Sequence, residues 1–159
     1  PPDLHGIGPS AASDVYKRQA LSWEALPETL AAGEPAALTL RYSNDNAGHY
    51  LPTGDPERYI TIRVQARDAS GAVLAEAEER IGSVYQWYPT VALISDNRMA
   101  PDEARTLSLR FVPPAGAVTV SVVAERWRLT EENLAYHDLA GRVVPGAVFY
   151  EDTVTLTAQ

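Results

Sequence analysis

Gly48-His-Tyr-Leu-Pro-Thr-Gly-Asp-Pro-Glu-Arg58 gathers a histidine, an Asp/Arg pair, two prolines and two glycines into one loop between two strand patterns. Connections between strands run about two to six residues and carry one turn signal. This loop holds more turn chemistry than turning requires. Its one imidazole, His49, can ligate a metal or carry a proton. Pro52 and Pro56 fix φ on one side of it, while Gly48 and Gly54 open turns closed to other residues. A preset imidazole loses little entropy on binding. Asp55 and Arg58 are spaced to pair across the turn, and Asn44, Asp45 and Asn46 can make side-chain-to-backbone turns. The plainer alternative is a well-capped loop in which His49 hydrogen-bonds a carbonyl.

Other chemistry is sparse. His137 stands on a short helical pattern, where a lone histidine is usually a surface or half-packed residue. The run Tyr85-Gln-Trp-Tyr88 can line a flat ligand or a sugar, or cover the end of a sheet. Glu76, Glu78 and Glu79 read as a solvated strand face. Neither a nucleophile triad, a paired-carboxylate spacing nor a phosphate loop stands out. With no cysteine, the chain carries no disulfide, thiol nucleophile or cysteine-ligated zinc. Two usable histidines leave little room for a metal site built by this chain alone.

The third histidine, His5, belongs to a different kind of segment. Asp14 to Gln19 resembles the in-frame translation of a transposase-type sequencing adaptor, GAT GTG TAT AAG AGA CAG, and Asp3-Leu4-His5 resembles that of its far end. Lys17 is the only lysine in 159 residues, beside twelve arginines. Residues 1–19 are therefore expected to be a non-native leader outside the fold, and residues 20–159 one domain cut from a longer protein.

The net charge of −8 is the same with or without that leader, because Asp3 and Asp14 offset Lys17 and Arg18. Phosphate neutralisation needs clustered cations, so nucleic acid is a poor partner. No stretch reaches the roughly 18 apolar residues of a membrane span.

The elements that must position these residues are strands. Leu38, Leu40 and Tyr42 alternate with polar neighbours. Ile60, Ile62, Val64 and Ala66 do so too, as do Leu107, Leu109 and Phe111, then Val118, Val120 and Val122, then Val154 and Leu156. Period two marks strands with one buried and one wet face. Asp68-Ala-Ser-Gly71 and Pro113-Pro-Ala-Gly116 are turns between such strands. Val122-Val123 suggests a bulge that would bring Trp127 to the inner face. Thr130 can cap a helix over 131–140, with Glu131 and Glu132 in its first turn and Gly141 at its end. The sum is an all-β, immunoglobulin-like antiparallel sandwich of seven or eight strands with one short helix.

The run Asn44-Asp-Asn-Ala-Gly-His-Tyr-Leu-Pro-Thr-Gly-Asp-Pro-Glu-Arg58 resembles a motif of the haem-free β-domain of bacterial multihaem c-type cytochromes. There a strand ending in Asn runs into Gly-Ala-Gly-His, an aromatic or Leu, Pro-Thr-Gly, and an Arg opening the next strand. The resemblance continues in order. Asp68-Ala-Ser-Gly71 with Val73-Leu74 is similar to that family's hairpin, and Ile81-Gly82 with Tyr85 to Tyr88 to its next strand and aromatic loop. Asp96-Asn-Arg-Met-Ala-Pro-Asp-Glu103 is similar to its D-N-R-L-x-P-G-E loop, with Asp102 in place of the glycine. Thr130 to His137 is similar to a segment near its C-terminus. The likeness spans residues 21–156.

This resemblance implies a haem-free, non-catalytic accessory domain of an extracytoplasmic electron-transfer protein, periplasmic or extracellular. In such cytochromes haem c hangs on Cys-x-x-Cys-His motifs, which this chain lacks, so haem would belong to the parent. His49 would be a distal axial ligand, in a loop shared with Tyr50, Pro52 and Arg58. The partners implied are the haem-bearing region of the same parent and redox proteins. Tyr85, Trp87, Tyr88 and His137 are further candidate contacts. Two rivals stand beside this reading: a carbohydrate- or protein-binding module using Tyr85, Trp87 and Tyr88, and a small enzyme with His49 as base beside Asp55.

Overall fold

The period-two runs fold as strands whose apolar faces meet between two sheets. The structure, a computed structural model, describes residues 20–45 and 47–159. The adaptor-like leader and Asn46 lie outside the described residues. In chain order the elements are β1 (Ala20–Ala25), β2 (Thr29–Leu30), β3 (Ala36–Ser43), β4 (Tyr59–Asp68), β5 (Val73–Gln86), β6 (Ala92–Asp96), β7 (Ala104–Phe111), β8 (Gly116–Trp127), α1 (Glu131–Tyr136) and β9 (Gly146–Ala158).

One sheet has the order β1-β3-β7 and the other β2-β9-β8-β4-β5-β6. This is the expected two-sheet, all-β sandwich with one short helix. It has nine strands among the described residues rather than seven or eight. The extra strand is β2, whose two residues are too few to show a period. It pairs parallel with β9 while every other pairing is antiparallel. The chain thus leaves the first sheet after β1 and joins the second, crossing at Leu26-Pro27.

The core is the set the alternation predicts. Leu38, Leu40 and Tyr42 of β3 and Leu109 and Phe111 of β7 face Ile60, Ile62 and Val64 of β4 and Val118, Val120 and Val122 of β8. Burying one such aliphatic side chain contributes roughly 1.5–3 kcal/mol. Burial also pushes the Tyr42 hydroxyl up to about 12. The β4–β5 turn closes as expected, with the Asp68 carboxylate accepting from the amides of Ser70 and Ala72.

Three local expectations are corrected. Val122, Val123 and Ala124 keep strict alternation, and the register shift lies instead between β8 and β9, at Ala124/Glu125. Glu125 opposes Val148 while Ala124 opposes Tyr150, so the extra residue is Phe149 of β9. Without a bulge in β8, Trp127 shares the outer face with its partner Tyr59 rather than reaching the core. Its indole stacks on Tyr59 at 5.7 Å and donates to the Thr61 hydroxyl at 2.9 Å. The helix ends before Gly141: His137 caps it and Asp138 takes the left-handed turn at φ 53°. Its start is as expected, with the Thr130 hydroxyl accepting from the Asn133 amide.

Candidate functional site

Asn44 directly follows β3, and this residue organises the loop that begins there. Asn44 is fully buried. Its amide Nδ2 donates to the carbonyls of His49 at 3.0 Å, Met99 at 3.2 Å and Ala100 at 2.9 Å. Its backbone amide donates to Glu103 and its carbonyl accepts from Asp102. Asn44 thus makes a side-chain-to-backbone bond within its own loop, as expected, and also clamps the 44–58 loop to the 97–103 loop. Leu51 and Met99 complete the join with reciprocal backbone hydrogen bonds, both 2.9 Å. The spacing of 55 residues hides the contact from any local reading of the sequence.

The second loop is equally occupied. Asn97 accepts from the Gly82 amide at 2.8 Å and donates to the Arg80 carbonyl, tying the loop to β5. Arg98 donates to both oxygens of Asp96, with the shortest contact 2.6 Å, and this pair holds the Asp96 carboxyl down at about 2. The Arg98 guanidinium lies 5.5 Å from the centre of the Tyr50 ring. Arg105 donates to Glu103 at 2.6 Å and holds that carboxyl below its usual range. Asp102 sits at φ 61°, a left-handed conformation that favours glycine. It is the position at which the cytochrome motif has glycine.

This lacing presents His49 at the surface. Its Nδ1 lies 3.0 Å from the carbonyl of Tyr50. A carbonyl only accepts, so Nδ1 carries the proton and the lone pair of the neutral ring is on Nε2. An Nδ1–H held by a backbone carbonyl is the usual arrangement behind a ligating imidazole. The donor chemistry therefore leaves Nε2 as the one ring atom with a lone pair to offer a metal. Among the described residues no group of three or more His, Cys, Asp or Glu could hold a metal ion.

Tyr50 is exposed, while Leu51 and Pro52 are buried beneath it. The pairing expected of Asp55 and Arg58 is made by backbone: the Arg58 amide donates to the Asp55 carbonyl at 3.1 Å. Their side chains part. The Asp55 carboxylate accepts from the Glu57 amide, and the Arg58 guanidinium folds over Gly54 to the Thr53 carbonyl. The two residues between Asp55 and Arg58, Pro56 and Glu57, close a turn too tight for the two side chains to face each other.

The remaining candidates come together elsewhere. Tyr85, Trp87, Tyr88 and His137 line one cleft of about 920 Å³ between the end of β5 and α1. Pro56 and Glu57 line it too, so the end of the 44–58 loop forms its rim, and Asn133 of α1 donates to Glu57 at 2.7 Å. His49, Tyr50, Pro52 and Arg58 are not part of its wall. Tyr85 stacks on Trp87 at 5.3 Å, and Tyr136 meets His137 edge-on at 5.1 Å. Tyr136 and Arg80 are cleft residues that reading the sequence did not single out. The Arg80 guanidinium lies 4.3 Å over the Tyr59 ring, extending the Tyr59–Trp127 stack to the cleft.

No protein-family description matches the chain, and no curated protein sequence does. Among solved structures the fold is similar to a penta-heme cytochrome c552 from Thermochromatium tepidum, with a TM-score of 0.65 and 17% identity. That match covers 91% of this chain and 41% of the cytochrome, so the chain spans less than half the length of its neighbour. A glycosyl hydrolase family 2 member from Bacteroides cellulosilyticus matches over 87% of this chain and 14% of its own at TM-score 0.39 and 9% identity. A PapD-like domain of human CEP192 covers 89% of this chain and 85% of its own at TM-score 0.37 and 12% identity. No helix among the described residues is long and apolar enough to cross a membrane.

Proposed function

We propose that this chain is the haem-free, non-catalytic β-sandwich of an extracytoplasmic multihaem cytochrome. On this reading it supports the haem-bearing region of the same parent and offers His49 to one of its haems. The observation that carries it is the His49 geometry: a surface imidazole whose Nδ1–H is held by the Tyr50 carbonyl, on a loop clamped from inside by Asn44. The fold likeness to the penta-heme cytochrome over 91% of the chain supports the same reading. So does the left-handed Asp102 where the cytochrome motif has glycine.

With no cysteine, the chain has no thiol to attach haem covalently. Its contribution is positional. The Nε2 lone pair would be the ligand, the Tyr50 carbonyl fixes the tautomer, and the Asn44 clamp fixes the loop. Haem itself supplies the electron transfer, and the protein tunes it through ligand, hydrogen bonding and burial.

Two experiments test this. The coding sequence upstream of Ala20, recovered from genomic DNA, is expected to encode several Cys-x-x-Cys-His motifs. A signal peptide directly before Trp23 without them overturns the reading. In the parent, His49→Ala is expected to convert one low-spin haem to high-spin by visible absorption or electron paramagnetic resonance. An unchanged spectrum reassigns His49 to bracing its loop.

A further inference from the structure

The cleft between β5 and α1 has a composition that the His49 reading does not use. Tyr85, stacked on Trp87, lines it with Tyr88 and Tyr136, and Glu57, already bonded to Asn133, and Glu132 lie on the side of the loop and α1. Tyr88 is 86% exposed, Tyr136 84% and Trp87 45%. Large aromatic surface left open to water on a wall of a concave site is the usual mark of a ligand that stacks.

Against this apolar wall stands one half-buried cation. Arg80 lines the cleft, lies over the Tyr59 ring and reaches the Ser83 carbonyl at 3.4 Å. Among the described residues it has no carboxylate partner, unlike Arg63, Arg98, Arg105 and Arg142, and what sets it apart from Arg41, Arg58 and Arg67, which also bond to other groups, is its place in the cleft wall. Burial lowers its pKa from the ordinary value. A guanidinium that has lost water and gained no carboxylate is set to take one from a ligand. The cleft volume of about 920 Å³ suits a large, flat molecule.

We infer that this cleft binds a flat, apolar ring system carrying a carboxylate, the ring stacked on Trp87 and Tyr85 and the carboxylate on Arg80. This rests on the function proposed above, within which the ligand is the propionate-bearing edge of a haem from the parent. The cleft then seats a porphyrin edge near the loop that presents His49, since Glu57 joins the two.

The test uses the 159-residue chain and metal-free protoporphyrin IX, which His49 cannot ligate. Tryptophan emission is expected to quench saturably. Trp87→Ala is expected to weaken binding by about tenfold and Arg80→Gln by about fivefold, as stacking and a charge-assisted hydrogen bond would. His49→Ala is expected to bind as the parent sequence does. The dimethyl ester of the porphyrin, which has no carboxylate, is expected to bind about tenfold more weakly. Trp87 is exposed, so its variant folds whether or not Arg80→Gln disturbs the Tyr59 stack. Equal affinity for acid and ester, or undiminished binding by Trp87→Ala, overturns the proposal. Displacement of the porphyrin by naphthoate at comparable concentration would mark the site of a small aromatic acid and overturn the haem source. If the upstream DNA encodes haem motifs and the cleft still ignores porphyrin, this inference fails and the parent reading stands.

Discussion

The His49 loop and the aromatic cleft meet at the Asn133–Glu57 hydrogen bond and are held by opposite means. The loop is specified from below. Asn44, buried and inextensible, gathers three carbonyls from two segments that are far apart in sequence, and Leu51 pairs with Met99 beside it. Every polar side chain from Asp96 to Arg98 is bonded to a neighbour. The cleft is a gap between the end of β5 and α1, crossed at its rim by the Asn133–Glu57 hydrogen bond. β5 runs past the core and shifts register at Val84/Tyr85, and Tyr85 near its end and Trp87 just beyond it lie on a wall that is partly open to water. Hydrogen bonds give a group one position; exposed rings give a surface that a ligand must complete. A site that needs both has a rigid donor beside an adaptable wall.

The largest way to break this contrast is at the clamp. Asn44→Ala removes the donor shared by the His49, Met99 and Ala100 carbonyls and leaves them beneath the loop without it. A loss of about 3 kcal/mol is expected, the cost of several buried acceptors losing a partner. It is smaller than the sum of three such bonds because Asn44 Oδ1 is itself buried without a partner among the described residues. Urea denaturation measures it. Trp87→Ala in the same assay is expected to stay within about 0.5 kcal/mol, since its contacts are at the surface. Equal losses for the two would erase the distinction between clamped loop and open wall.

The next effect tests the stack behind the cleft. A Cβ on Gly146 would lie 2.6 Å from Cε3 of Trp127, inside van der Waals contact with a ring already packed on Tyr59. Gly146→Ala is expected to cost about 2 kcal/mol, as overpacking does, and to shift tryptophan emission. Gly48→Ala, whose Cβ would meet nothing within 4 Å, is the matched control. It is expected to change stability by less than about 0.5 kcal/mol.

These particular residues show what a sequence discloses. The inner faces of β3, β4, β7 and β8 were readable because alternation is a local signal that burial enforces residue by residue. His49 and the cleft aromatics were readable as candidates because histidine and tryptophan are few here and Tyr85, Trp87 and Tyr88 fall in one short run. Their arrangement was not. Asn44 looked like a turn residue alone because its other partners are 55 and 56 positions away. Trp127 looked inward because a Val-Val pair imitates a bulge, whereas the actual extra residue is on the opposing strand at Phe149. Arg80 gave no signal, since what marks it is its place over the Tyr59 ring at the cleft, which no local pattern encodes.

A smaller effect comes from pH. The Arg98 hydrogen bonds hold the folded Asp96 carboxyl at about 2, below the ordinary 3.8. A depressed folded value stabilises above the ordinary one, so the contribution is intact above about pH 4 and is lost as pH falls towards about 2. An ion pair this open to solvent contributes at most about 1 kcal/mol. Acid unfolding followed by circular dichroism is expected to begin at higher pH than for Asp96→Asn when each is compared with its own stability at pH 7. Coincident relative profiles would show that the pair does not anchor the 97–103 loop.

The smallest expected change has the opposite sign and bears on the clamped loop alone. Asp102 is held at φ 61° because its amide must donate to the Asn44 carbonyl at 3.1 Å. An L-residue there is strained, and a glycine is not, although glycine also enlarges the unfolded ensemble. The two terms oppose each other, so Asp102→Gly is expected to stabilise by only roughly 0.5 kcal/mol. Asp102→Ala keeps the strain and loses the tolerance that a short polar side chain gives to left-handed backbone, so it is expected to destabilise by a similar amount. The ordering Gly, Asp, Ala in urea midpoints would tie the glycine of the cytochrome motif to the Asn44 clamp. The reverse order would mean that the loop yields around Asp102, and that His49 is presented less rigidly than the hydrogen bonds beneath it imply.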